Sequence, residues 1–95
     1  MDAEGVLLAG ERGIHLLFDI ETITAAFEQD GEALQQVFAR RRLEIESVLA
    51  QLLALPTAID ARIFIESLPR ELQYVLVLLY FELLDGRLRH RPTVH

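Results

Sequence analysis

From Glu32 to Leu55 the chain carries no glycine or proline. Across that stretch Leu34, Phe38, Arg41, Ile45, Val48, Leu52 and Leu55 recur at alternating spacings of four and three. That recurrence places them on one face of an α-helix, and the segment predicts one continuous helix of about 24 residues, roughly 36 Å long. Pro56 ends it. Thr57-Ala58-Ile59-Asp60 then has the form of a capping box, opening a short helix to about Ser67. Leu68-Pro69 punctuates the chain again. Pro69 suits the first turn of a last helix, with Ser67 or Leu68 as its cap. That helix is expected to run to about Asp85, with Gly86 as its stop.

The N-terminal third has two readings. Gly5, Gly10 and Gly13 argue against helix over residues 1–13. In one reading Val6–Ala9 and Ile14–Phe18 pair as a hairpin around Gly10-Glu11-Arg12-Gly13, and Asp19 caps a helix over Ile20–Gln29. In the other, residues 1–12 are a loose arm and a longer helix begins near Gly13, with Leu16, Ile20, Ile23 and Phe27 as its apolar stripe. The longer helix is the favoured expectation. Gln29-Asp30-Gly31 breaks the chain, Gly31 closing the first helix or Asp30 capping the second. The expected fold is therefore all-α: one domain over residues 1–95, a bundle of about four helices (two long, one short, one central and apolar). A flexible arm or short hairpin would precede it, and a basic tail over residues 87–95 would follow.

Composition adds a tension to this pattern. The chain has 95 residues, 52% of them apolar, with mean hydropathy +0.26. A domain this small buries only about 60–70% of the surface its unfolded chain exposes. The surplus concentrates in Leu72–Leu84, where Tyr74 through Phe81 contains no strongly polar residue. One stripe there is Leu72, Val75, Leu76, Leu79, Tyr80 and Leu83; the other is Tyr74, Val77, Leu78, Phe81 and Leu84. A helix apolar on two faces needs cover on both. A homodimer seam or a partner protein would supply it, with Tyr74, Val77, Leu78, Tyr80, Phe81 and Leu84 as interface residues. Arg41 joins them, because it sits within the apolar stripe of the long helix and could meet a partner carboxylate.

Charge and residue usage narrow the function classes. The net charge is −6, which argues against general nucleic-acid binding and against an anionic membrane surface. Every basic side chain is Arg, a pattern expected of a GC-rich bacterial genome. The absence of cysteine removes disulfides, thiolate catalysis and Cys-based metal sites. Asp2 and Glu4 stand where a signal peptide would be positive, and the longest near-apolar run, about 13 residues, falls short of a membrane span. A cytoplasmic location is expected.

Candidate chemistry is sparse. Glu11, His15 and Asp19 are spaced four apart, but Gly10 and Gly13 disfavour a helix that would align them, so no metal site is assigned. Arg40, Arg41 and Arg42 point in three directions; Arg40 can pair with Glu44 and Arg42 with Glu46. Arg87, Arg89 and Arg91 complement a helix C-terminus and are candidate contacts for an anionic partner. No phosphate loop, serine elbow or paired acid/base group is present, which points away from an enzyme and from any cofactor.

Residues 67–86, Ser-Leu-Pro-Arg-Glu-Leu-Gln-Tyr-Val-Leu-Val-Leu-Leu-Tyr-Phe-Glu-Leu-Leu-Asp-Gly, resemble the opening helix of region 4 in sigma-70-type factors. There a Leu-Pro pair precedes a helix ending near Tyr-Phe-Glu-Gly, and a helix-turn-helix with a basic recognition helix comes next. These 95 residues hold no such segment after Gly86, so the resemblance implies at most a transcription-associated partner. The leading expectation is a non-enzymatic interaction or regulatory adaptor that self-associates and binds a partner protein through an apolar helix. An acidic helical chaperone that shields a hydrophobic client segment is the alternative.

Overall fold

The computed structural model describes residues 1–89. They form six helices in chain order: α1 (Ala3–Glu11), α2 (Ile20–Glu28), α3 (Gly31–Arg40), α4 (Arg42–Ala54), α5 (Ala58–Glu66) and α6 (Arg70–Arg89). The described residues contain no strand, so the fold is all-helical but built from more pieces than the expected four.

The first correction lies at the N-terminus. Residues 3–11 are a helix, neither hairpin nor loose arm. Asp2 caps it, its carboxylate accepting from the Gly5 amide at 2.9 Å. Gly13 ends it at φ +84, a left-handed conformation that glycine adopts without strain. The Gly13 amide returns to the Gly10 carbonyl and the Ile14 amide to the Ala9 carbonyl, both at 2.9 Å. That pair of bonds is a Schellman closure. Gly13 thus terminates a helix where the favoured expectation had one begin. Gly10 costs α1 about 1 kcal/mol of helix propensity, but it is buried where α1 crosses α6. A Cβ there would collide with the Tyr80 hydroxyl and press on both Leu84 methyls.

α2 is the shorter of the two expected helices, capped by Asp19, which accepts from the Thr22 amide at 2.7 Å. Asp30 caps α3 through the Glu32 amide. Thr57 caps α5 as expected, the Asp60 amide donating to its Oγ1 at 3.1 Å, but the return bond of a capping box is replaced by the Thr57 hydroxyl donating to Asp60 Oδ2 at 2.9 Å.

The second correction is the long helix. It breaks at Arg41, whose φ −111 and ψ 25 leave the helical region between α3 and α4. No local breaker accounts for this. Packing does: α3 lies along α6, while α4 packs on α5. The apolar stripe still reads correctly in part, since Leu34, Ile45, Val48 and Leu52 are buried.

α6 is the centre of the core, packed by α1, α2 and α3. Its buried residues are Leu72, Gln73, Val75, Leu76, Val77, Tyr80 and Leu84. Truncating one of the aliphatic side chains among them to alanine should cost about 2–5 kcal/mol. Gln73 is tolerated inside because its Nε2 donates to the Leu68 carbonyl at 2.8 Å and reaches the Glu66 carbonyl at 3.4 Å, satisfying the end of α5. Gly86 does not stop α6, which continues to Arg89. Arg87 secures the extra turn to α1. Its guanidinium makes two hydrogen bonds to Glu4, at 2.9 and 3.1 Å, and approaches Glu11 at 3.5 Å. No helix of the described residues is long and apolar enough to cross a membrane.

Candidate functional site

The expected interface residues divide between the inside and the outside of α6. Val77, Tyr80 and Leu84 are buried by the chain's own helices, with Val77 at 0% exposure. They are core residues, which removes them from any surface offered to a partner. Tyr74, Leu78 and Phe81 stay half-buried. Their spacing of four and three puts them on one stripe of α6, packed against the edge of the core.

Of that stripe, Leu78 lines a shallow trough and Phe81 makes an aromatic contact beside it. On one side Phe81 meets Phe27 of α2, ring centres 5.3 Å apart at 71°. Phe27 remains 56% exposed. On the other side α3 and α6 enclose an open groove of about 300 Å³, lined by Leu34, Phe38, Val75, Leu78 and Leu79, with Gln35 and Glu82 at its edge. Arg41 marks one end of this groove. It donates to both Glu44 carboxylate oxygens at 2.8 Å and to Glu71 of α6 at 3.1 Å. The carboxylates that Arg41 was expected to seek in a partner belong to its own chain. They also hold its guanidinium protonated to higher pH than usual, Glu44 contributing most.

Behind the trough lies an aromatic cluster. His15 Nδ1 and the Tyr80 hydroxyl are 2.8 Å apart, and the His15 ring is 4.9 Å from Phe81. Phe18 closes the cluster on Tyr80. Burial pushes the Tyr80 phenol above its ordinary pKa. The four-residue spacing of Glu11, His15 and Asp19 does not point to Tyr80 as the partner of His15, which lies in the loop before α2.

The basic tail is reduced by what its arginines already hold. Arg87 is engaged with α1, and among the described residues its Nε is the buried side-chain polar atom left without a hydrogen-bond partner. Arg89 pairs with Asp85 at 3.0 Å. Arg91 lies outside the described residues. The Glu11–His15–Asp19 row does not assemble: Glu11 approaches Arg87, His15 meets Tyr80 and Asp19 caps α2. Of the two expected helix-face pairs, Arg42–Glu46 forms at 3.2 Å, whereas Glu44 goes to Arg41 instead of Arg40. Among the described residues no group of three or more His, Asp and Glu side chains is placed to hold a metal ion.

A polar recess also exists, lined by Asp19, Glu21, Thr22, Glu66, Arg70 and Gln73. Asp19 and Gln73 are committed there to a helix cap and to backbone carbonyls. Neither protein-family models, curated proteins nor solved structures give a match to this chain.

Proposed function

We propose that this chain is a small, non-enzymatic protein-interaction module that acts as an adaptor through the outer face of α6. One observation carries the reading. The chain's own helices cover the inner face of α6 and leave an open apolar groove between α3 and α6, floored by Leu78 and Leu79 and walled by Leu34 and Phe38, with the exposed Phe27 packed on Phe81 nearby. Aromatic and aliphatic anchors in a shallow depression are what protein partners use as binding centres. A photo-crosslinking residue at position 78 tests it in the native host. The expected product is a covalent adduct with another protein; absence of any protein adduct, with the chain folded, overturns the reading.

Self-association is a second reading, favoured by a separate observation. Ile59 and Ile63 sit one turn apart on α5 and are 74% and 61% exposed. A homodimer joined there would cover them, and would leave the α6 trough free for the partner. A chaperone for a hydrophobic client segment uses the same trough; it separates from an adaptor because its bound client stays unfolded. The transcription-associated reading draws on Arg87, Arg89 and Arg91, of which Arg87 is already engaged by Glu4.

A further inference from the structure

The trough has a sign of charge as well as an apolar floor. Its groove runs from Val75 to Glu82 along α6, about 10 Å or two helical turns. Glu82 is the one charged residue lining it. Glu28 and Glu32, exposed, flank the turn between α2 and α3 where the groove begins at Gly31. α2 contains no basic residue. On α3, Arg40 lies roughly 200° around the helix from Phe38 and so points away from the groove. Of the cations at the ends of the outer stripe, Arg41 and Arg89 are each neutralised by carboxylates of this chain, and Arg70, one turn before Tyr74, lines the polar recess with Asp19 and Glu21.

We infer that the occupant of the trough is an amphipathic helix of a partner protein, about two turns of which are apolar, flanked by Lys or Arg. The inference rests on reading this face as a protein-docking surface. Apolar side chains would fill the depression over Leu78, and the basic flank would meet Glu82 and the carboxylates around the α2–α3 turn. A second copy of this chain fits the same trough poorly, since it brings another Glu82 and another net charge of −6 to a face that a basic flank complements.

The test uses the full chain and two fluorescein-labelled peptides of about 14 residues. Both carry the same Leu and Ala stripe in helical register; one has Lys flanks and the other Glu flanks. Fluorescence anisotropy should show the Lys-flanked peptide binding about tenfold more tightly. Its affinity should fall as salt rises from about 0.05 to 0.5 M. Glu82→Gln, at an exposed position that leaves the core intact, should weaken the Lys-flanked peptide about two- to fivefold and leave the Glu-flanked one no weaker. Leu78→Glu should abolish both. Equal binding of the two peptides, still lost in Leu78→Glu, overturns the charge assignment while the docking surface stands. Binding of neither peptide overturns the inference. So does a dimer that Leu78→Glu converts to monomer, since a second copy then fills the trough. The position-78 crosslink decides the underlying reading independently of these outcomes.

Discussion

The imidazole Nδ1 of His15 lies 2.8 Å from the phenol oxygen of Tyr80, joining a loop to the central helix across 65 positions of sequence. Tyr80 is 6% exposed and His15 half-buried, so the bond is partly shielded from water. Replacing Tyr80 with Phe keeps the ring contacts to Phe18 and Phe81 but leaves the imidazole nitrogen unpaired. The expected loss is about 1–2 kcal/mol, read as a lower denaturant midpoint with unchanged slope. An unchanged midpoint would show that the bond contributes nothing net.

The same phenol sets an alkaline limit. Its ordinary value is near 10.0, and burial raises it in the folded state. The unfolded chain therefore ionises Tyr80 first. Any stability linked to this group is intact below pH 10 and declines as pH rises from there through the folded-state value. Ultraviolet titration at the phenolate band, with Tyr80→Phe to assign the step, should place Tyr80 above the ordinary phenol value; ionisation at the ordinary value contradicts its burial.

Two glycine-to-alanine substitutions should act in opposite directions. At Gly10 the new methyl meets the Tyr80 hydroxyl and Leu84, so overpacking at the α1–α6 crossing should cost about 1–3 kcal/mol despite alanine's better helix propensity. At Gly86 nothing lies within 4 Å and the residue is helical, so alanine should stabilise by about 0.5–1 kcal/mol. Thermal melts of the two variants check the pair. Equal shifts would mean that α1 does not approach α6 this closely.

Asp19 offers an acid-side test. Hydrogen bonds from Thr22 hold its carboxyl below the usual 3.8. The cap's electrostatic contribution is thus present above that value and is lost as pH falls through the folded-state value. Asp19→Ala should cost about 1 kcal/mol near neutrality. The gap between wild type and variant should narrow at pH 2, and a gap that stays constant would assign the effect to something other than the carboxylate.

Arg87→Met removes the clamp between α1 and the last turn of α6. Glu4 and Glu11 lose their shared cation, and the segment after Gly86 loses its anchor. Amide hydrogen exchange should accelerate from Gly86 to Arg89 and at the start of α1, with little change at Val77. Uniform acceleration across α6 would mean that the clamp supports the whole fold.

Much of this architecture is written in short-range spacing. The Thr57 cap and the four-three stripe through Ile45, Val48 and Leu52 are local patterns, and each lies where its spacing places it; the Asp30 cap is one of two openings that its spacing allows, and the Asp19 cap belongs to the shorter-helix reading that the spacing did not favour. The apolar excess of α6 was legible too. Its meaning was not: that excess marks the centre of the core, and what reaches the surface includes the half-buried stripe of Tyr74, Leu78 and Phe81 together with Leu83, 59% exposed. Other apolar residues are exposed elsewhere, such as Leu43 at 82%.

By itself, then, the sequence determined that the chain is helical, where several helices begin, and that α6 is the most apolar of them. Only tertiary structure decided that α1 forms despite its glycines, that the long helix divides at Arg41, that Val77, Tyr80 and Leu84 are buried, and that Tyr74, Leu78 and Phe81 stay half-buried. The physical reason is range. Helix formation and capping depend on groups three or four residues apart, which one sequence displays directly. Which face of a helix is covered depends on partners such as Gly10 against Tyr80 or Glu4 against Arg87, brought together only when the whole chain packs.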